Sequence, residues 1–232
     1  MAHTQLTLRL SPQEVYRLDN FLFADEALHE AVAEFCQGQG YGFLYLCGAS
    51  GAGKTHLCLA IAEQLQQQSS VAYLNFHELL QTAEPAGLNS LMQAEIICLD
   101  DVEAIVGHQA WQEALFDAFN VLRQQQKRLL IVTENPPSHL NIELADLRSR
   151  LATGLVFQLP VMADQRKQQA LILQAQSRGL ILSEDVAQYL LRHYGRDMPS
   201  LMAVLQKLDK ASLQAQRRLT IPFVKEVMQH GV

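Results

Sequence analysis

Two hydrophobic periods alternate along the first two thirds of this chain, and only one of them continues into the last third. Before residue 160, five short runs are almost wholly apolar: Phe43–Cys47, 71–76, Ile96–Asp100, 129–133 and 155–159. Runs of this length suit parallel strands covered on both faces by helices. Between them, apolar side chains recur three and four residues apart. Residues 54–67 carry Leu57, Ala60, Ile61 and Leu65 on one face, and 109–125 carry Trp111, Ala114, Leu115, Ala118, Phe119 and Leu122. The alternation predicts a doubly wound α/β domain built on a five-stranded parallel sheet.

Beyond Pro160 only the helical period remains. It predicts helices over 164–178, 183–194, 198–215 and 221–230. Ser183 reads as an N-cap, with Glu184 and Asp185 in the first turn behind it. Pro199 and Pro222 suit first-turn positions, where a missing N–H costs nothing. Leu201, Val204, Leu205 and Leu208 form one apolar stripe, which suits a small bundle. The chain thus divides into a short tail (1–14), an α/β domain (15–160) and a helical domain (161–232).

Composition changes this picture in one respect. Residues 1–160 hold 8 basic and 18 acidic side chains, whereas 161–232 hold 10 and 6, so the boundary in pattern is also a boundary in charge. Hydrophobic residues at 49% of 232 rule out a disordered chain. No apolar run approaches the roughly 20 residues that span a bilayer, and the N-terminus lacks the basic start and apolar stretch of a signal peptide. The expectation is a cytoplasmic protein with no membrane contact. Cys36, Cys47, Cys58 and Cys98 stand alone among apolar neighbours and read as free thiols. The histidines show no metal-binding spacing.

The chemistry is concentrated at strand ends. Gly48-Ala49-Ser50-Gly51-Ala52-Gly53-Lys54-Thr55 matches GxxxxGK[ST] and lies between a predicted strand and a predicted helix. Small residues there let backbone N–H groups curl around phosphate oxygens at a helix N-terminus. Lys54 then reaches the outer phosphates and Thr55 holds Mg²⁺. The run 94–101 ends in Asp100 and Asp101, placed to organise Mg²⁺ and to orient a water. Many P-loop ATPases have Glu at the second position. Asp101 is one methylene shorter, which predicts weak hydrolysis by the chain itself. Asn135 closes the next strand, where it either touches the terminal phosphate or serves only as a turn residue before Pro136. Arg148 and Arg150 stand together in a region poor in arginine. They suit a solvated helix face or a finger reaching a neighbour's nucleotide.

Together these motifs resemble the AAA+ ATPases, and within them the DnaA initiator clade. Gly53-Lys54-Thr55-His56-Leu57 is similar to the DnaA P-loop, which adds His56 to the nucleotide-binding set. The run Tyr16-Arg17-Leu18-Asp19-Asn20-Phe21 resembles the segment that holds the adenine end in that clade, which implies contacts from Leu18, Phe21 and Leu22. Asn135 falls in the sensor 1 slot and Arg150 in the arginine-finger slot, and the basic tail resembles the AAA+ lid. The slot of the sensor 2 arginine holds Pro199, with Arg196 nearby. Lack of that cation implies weak sensing of the γ-phosphate and a preference for ADP over ATP.

The front end, Gln5-Leu6-Thr7-Leu8-Arg9-Leu10, resembles peptides that dock on the bacterial sliding clamp. Gln5 would be the polar anchor, with Leu6, Leu8 and Leu10 entering an apolar groove. The sequence stops at Val232, which is expected to leave no helix-turn-helix domain after the lid. This layout resembles the regulatory members of the clade. It implies a nucleotide-bound, Mg²⁺-dependent regulator that acts with the DNA-loaded clamp on DnaA, makes DnaA hydrolyse its ATP, and so restrains replication initiation. DNA would be reached only through the clamp. Self-association as a homodimer or a head-to-tail oligomer is left open by the sequence. The alternative is an autonomous AAA+ ATPase of helicase-loader type.

Overall fold

The structure, a computed structural model, describes residues 16–230. Gln5, Leu6, Leu8 and Leu10 lie outside the described residues. Those described fall into two compact units, Phe23–Pro160 and a second made of 16–22 with 161–230.

The first unit is a sheet of five parallel strands: β1 (Phe43–Cys47), β2 (Val71–Asn75), β3 (Ile96–Asp100), β4 (Arg128–Thr133) and β5 (Leu155–Gln158). Their order across the sheet is β2-β3-β4-β1-β5. Apolar side chains fill both faces of the central three. Tyr45, Cys47, Ile97, Leu99, Leu129 and Ile131 pack with Trp111, Leu115, Phe119 and Leu122 of helix α5 (Gln109–Gln124). The alternate positions, Leu44, Leu46, Ile96, Cys98, Leu130 and Val132, are equally buried. Helix α2 (Lys54–Gln66), which packs on β2, β3 and β4, has a continuous buried run from Leu57 to Ala62. Each central strand is thus sandwiched, as its unbroken apolar run requires.

One expectation needs correction. The fifth run is not covered on both faces, for Leu155 and Val156 remain about 40% exposed (41% and 39%). β5 is an edge strand, so its neighbours lie on one side only.

Four further helices stand beside the predicted ones: α1 (Glu26–Gln37), α3 (Phe76–Thr82), α4 (Leu88–Leu91) and α6 (Ala145–Leu151). The four cysteines are free. Cys47, Cys58 and Cys98 are buried, and Cys36 is half-buried with its thiol pushed up to about 11, chiefly by burial.

The second unit has helices α7 (Asp164–Ser177), α8 (Glu184–His193), α9 (Met198–Ala215) and α10 (Ile221–His230). Leu171, Leu190, Leu201, Leu205, Leu208 and Val224 form the heart of its core. Ser183 caps α8 by accepting from Val186 N, and Asp197 caps α9 by accepting from Ser200 N. The segment 16–22 is held to α7. Buried Gln174 donates to Asn20 O at 3.0 Å, and Arg166 donates to Leu22 O at 3.5 Å. Among the described residues no helix is long and apolar enough to cross a membrane.

Candidate functional site

The strand order brings three chemical loops to one edge of the sheet. β1 lies beside β4, and β4 beside β3, so the turns that follow them are neighbours. In register, Cys47 faces Thr133 across β1–β4, and Asn75 faces Asp100 across β2–β3.

The loop after β1 has the backbone shape of a phosphate cradle. Gly48 approaches the chain after β5 so closely that a Cβ would sit 2.6 Å from Leu159 O. Only glycine fits there. Gly51 and Gly53 have φ of 78° and 92°, a left-handed backbone that folds the loop over the start of α2. Ala52 N donates to Ala49 O at 3.1 Å and closes the turn carrying Ser50 and Gly51. Gly53 caps α2, and its carbonyl takes the N–H of Leu57. Helix geometry leaves the N–H groups of Lys54 and Thr55, at the start of α2, without an intrahelical acceptor. The Lys54 ammonium folds back on the loop, 3.2 Å from Ala49 O, and the residue is only 8% exposed. A buried ammonium, orphan N–H groups and a positive helix end make a site for phosphate.

The loop after β3 carries the acids. Asp100 is fully buried. It accepts from Tyr73 Oη at 2.8 Å, from the backbone N of Asp101 at 3.1 Å, and from the Thr55 hydroxyl. Burial raises its pKa, and the charge of Asp101 adds to the rise. Asp101 has φ of 54°, unusual for a residue with a side chain, and its carboxylate accepts from Asn75 Nδ2 at 2.8 Å. A buried carboxylate beside a threonine hydroxyl and a phosphate cradle is a hard oxygen donor set, and it fits Mg²⁺ that also holds phosphate.

The loop after β4 is clamped from three sides. Thr133 Oγ1 and Tyr45 Oη lie 2.8 Å apart, and Asn135 O accepts from both hydroxyls. Glu134 O takes the N–H of Gly48 at 3.1 Å, and Glu134 N donates to Glu103 Oε1 at 2.8 Å. Asn135 itself is exposed and lies between the P-loop strand and the acidic strand.

The remaining candidates lie elsewhere. Arg150 is in the last turn of α6, just ahead of edge strand β5. It is half-buried, and its guanidinium has no hydrogen-bond or ion-pair partner among the described residues, whereas Arg148 is tied to Ile142 O. Leu18, Phe21 and Leu22 belong to the second unit. So do Arg196, whose carbonyl accepts from Lys167, and Pro199, exposed in the first turn of α9.

Sequence reasoning passes over Tyr45, Tyr73, Asn75 and Glu103. Each sits at a strand end or in a turn with nothing unusual in its spacing. The one available signal is a polar residue interrupting an apolar strand, as Tyr73 and Asn75 do in β2.

A parallel sheet with its P-loop strand set between β4 and an edge strand, followed by a helical lid, defines a AAA+ P-loop NTPase. Residues 13–158 match the family model for the bacterial DnaA ATPase domain, and residues 164–228 match that for the Hda lid domain. The chain therefore belongs to the DnaA clade of AAA+ proteins, and within it to the Hda type. An uncharacterized protein of Haemophilus influenzae is 42% identical over 188 residues, 80% of this chain and 81% of that one. Domain III of Thermotoga maritima DnaA has the same fold, with a TM-score of 0.76, 21% identity, and coverage of 93% of this chain and 96% of that one. AMPPCP-bound DnaA from Aquifex aeolicus superposes with a TM-score of 0.68 and 23% identity over 88% of this chain and 67% of that one.

Proposed function

We propose that this chain is a nucleotide-bound regulator that, together with the DNA-loaded sliding clamp, stimulates ATP hydrolysis by the initiator DnaA and so restrains replication initiation. The observation that carries the reading is Arg150. A guanidinium without a partner among the described residues, at the end of a short helix in a DnaA-type ATPase domain, is available to a neighbouring molecule's phosphates. There it would stabilise transition-state charge in trans.

The chain's own site is read as an adenine nucleotide site. Residues 48–55 would cradle the phosphates, Lys54 would neutralise their charge, and Thr55 and Asp100 would hold Mg²⁺. Bound Mg²⁺ would supply charge neutralisation between the phosphates. The AMPPCP held by Aquifex DnaA supports adenine. Leu18, Phe21, Leu22 and His56 complete the nucleotide set on the family resemblance. Pro199 offers no cation to a γ-phosphate, which favours ADP. Asp101, short and tied to Asn75, would orient a water poorly, so turnover by the chain itself is weak or absent, while Asn135 would serve as sensor 1. The tail 1–14, through Gln5, Leu6, Leu8 and Leu10, would dock on the clamp, so that DNA is met indirectly. A homodimer or head-to-tail assembly in the cytoplasm is compatible with this role.

The test is DnaA ATP hydrolysis with and without this protein and DNA-loaded clamp. Stimulation is expected from the wild type. Arg150→Ala should keep nucleotide and clamp binding and lose stimulation by a factor of about 10³ or more, the range of arginine fingers. Full stimulation by Arg150→Ala refutes the mechanism. Appreciable turnover by the chain alone, abolished in Lys54→Ala, would favour an autonomous ATPase.

A further inference from the structure

Glu103 lies in the 3-10 turn Val102–Ile105 that follows the acidic loop. One of its oxygens, Oε1, accepts from Glu134 N at 2.8 Å. The same residue, Glu134, gives its carbonyl to Gly48 N, the first amide of the phosphate cradle. Next in sequence comes Asn135, its carbonyl held by the Tyr45 and Thr133 hydroxyls. Glu103 is thus the side chain that ties the turn after Asp101 to the loop carrying Asn135, and through it to the P-loop.

The second oxygen, Oε2, is buried and has no hydrogen-bond partner among the described residues. Burial raises the pKa of this carboxyl above its usual value, the backbone N–H groups of Glu103 and Glu134 oppose the rise, and the charges of Asp101 and Glu134 add to it. A glutamine would make the same bond to Glu134 N without placing a third negative charge beside two others. If holding the loop were the whole task, the carboxylate would be the costlier choice, since a buried acceptor left open costs stability. The open oxygen is therefore left for a donor from outside the described residues.

We propose that Glu103 is a positioning residue of the nucleotide site. Its Oε1 fixes the Asn135 loop against the P-loop, and its Oε2 accepts a hydrogen bond from a water that enters with a bound diphosphate, in the room a third phosphate would take. The inference rests on the reading of residues 48–55 as a nucleotide site. It adds a residue that makes the Asn135 loop respond to what the P-loop holds.

The test measures the dissociation constants of MgADP and MgAMPPCP for the full chain, together with the melting temperature in their absence. Glu103→Ala is expected to lower the melting temperature and to move the ratio of the two constants about fivefold toward one, the weight of one hydrogen bond of ~1 kcal/mol. Glu103→Gln keeps the bond to Glu134 N and removes a repelled charge. It is expected to raise the melting temperature and still move the ratio about threefold, by loss of the second acceptor. A purely structural role predicts a wild-type ratio in Glu103→Gln, and that result overturns the proposal, as does a wild-type ratio in Glu103→Ala. A wild type that binds neither nucleotide overturns the nucleotide-site reading itself, and the proposal with it. The Lys54→Ala variant, expected to bind neither, distinguishes site binding from adventitious binding.

Discussion

Asp100 and Asp197 both accept a backbone N–H at the end of a regular element, and the two units of the molecule treat them in opposite ways. Asp100, at the end of β3, is fully buried, and burial raises its carboxyl pKa. Asp197, the exposed cap of α9, is held below the usual carboxylate range by its hydrogen bonds from Ser200. In the lid a charge is placed where helix N–H groups welcome it. In the α/β unit a charge is kept where folding alone would not put it. The same edge of the sheet also carries buried Lys54, the left-handed Asp101 and the close approach of Gly48 to Leu159. Such features cost stability and persist where a ligand or a reaction uses them.

The comparison is sharpened first by the lid core. Leu205→Ala should cost about 2–5 kcal/mol, because a buried leucine leaves a cavity. Amide exchange should then rise across α7–α10 while β1, β3 and β4 stay protected. Equal loss in both units would show that they do not unfold separately.

Next comes Gly48→Ala, which sets a Cβ against the Leu159 carbonyl. A cost of about 1–3 kcal/mol is expected from overpacking, with nucleotide retention lost as the cradle shifts. Wild-type nucleotide retention would remove the close approach from the explanation of the site.

Asp100→Asn should act in the opposite sense. The folded-state pKa of Asp100 lies above its ordinary 3.8, so the protein is favoured below that value and loses stability as pH rises through the folded pKa. Removing the charge should raise the melting temperature of the nucleotide-free protein at pH 7 by about 2–4 °C, with little change at pH 3. It should also remove the extra stabilisation that Mg²⁺ gives in the presence of nucleotide. A lower melting temperature at pH 7 would contradict the assignment of Asp100 as a costly charge.

The smallest effect belongs to Asp197→Ala. The depressed pKa means that the cap contributes above 3.8 and fades as pH falls through the folded value. The variant should melt slightly below wild type at pH 7 and coincide with it in strong acid. A constant offset at all pH values would show that the carboxylate charge is not what caps α9.

Legibility differs by region for the same physical reasons. The strands are readable because a run buried on both faces must be apolar throughout, and β1 and β3 begin and end where the apolar pattern does. The lid helices are readable because each has one wet face, and α8, α9 and α10 also have start signals at Ser183, Pro199 and Pro222. Helix α1 carries a similar signal, with Asp25 as cap and Leu28, Ala31, Val32 and Phe35 buried. Helices α3, α4 and α6, at four to seven residues, are too short for a period to show. Their residues are apolar enough to be buried but do not repeat.

The composition of the phosphate loop, its place between a strand and a helix, and the acids closing β3 are local facts. A backbone cradle and a strand end need only neighbouring residues, so the linear chain specifies them. The order of the strands is not local, and with it come the placement of Asn135 between two loops, the tie from Glu103 to Glu134, and the support of Asp100 by Tyr73 from another strand. These contacts join residues 27 to 90 positions apart. Only the packing of helices on both faces of the sheet brings them within hydrogen-bond distance.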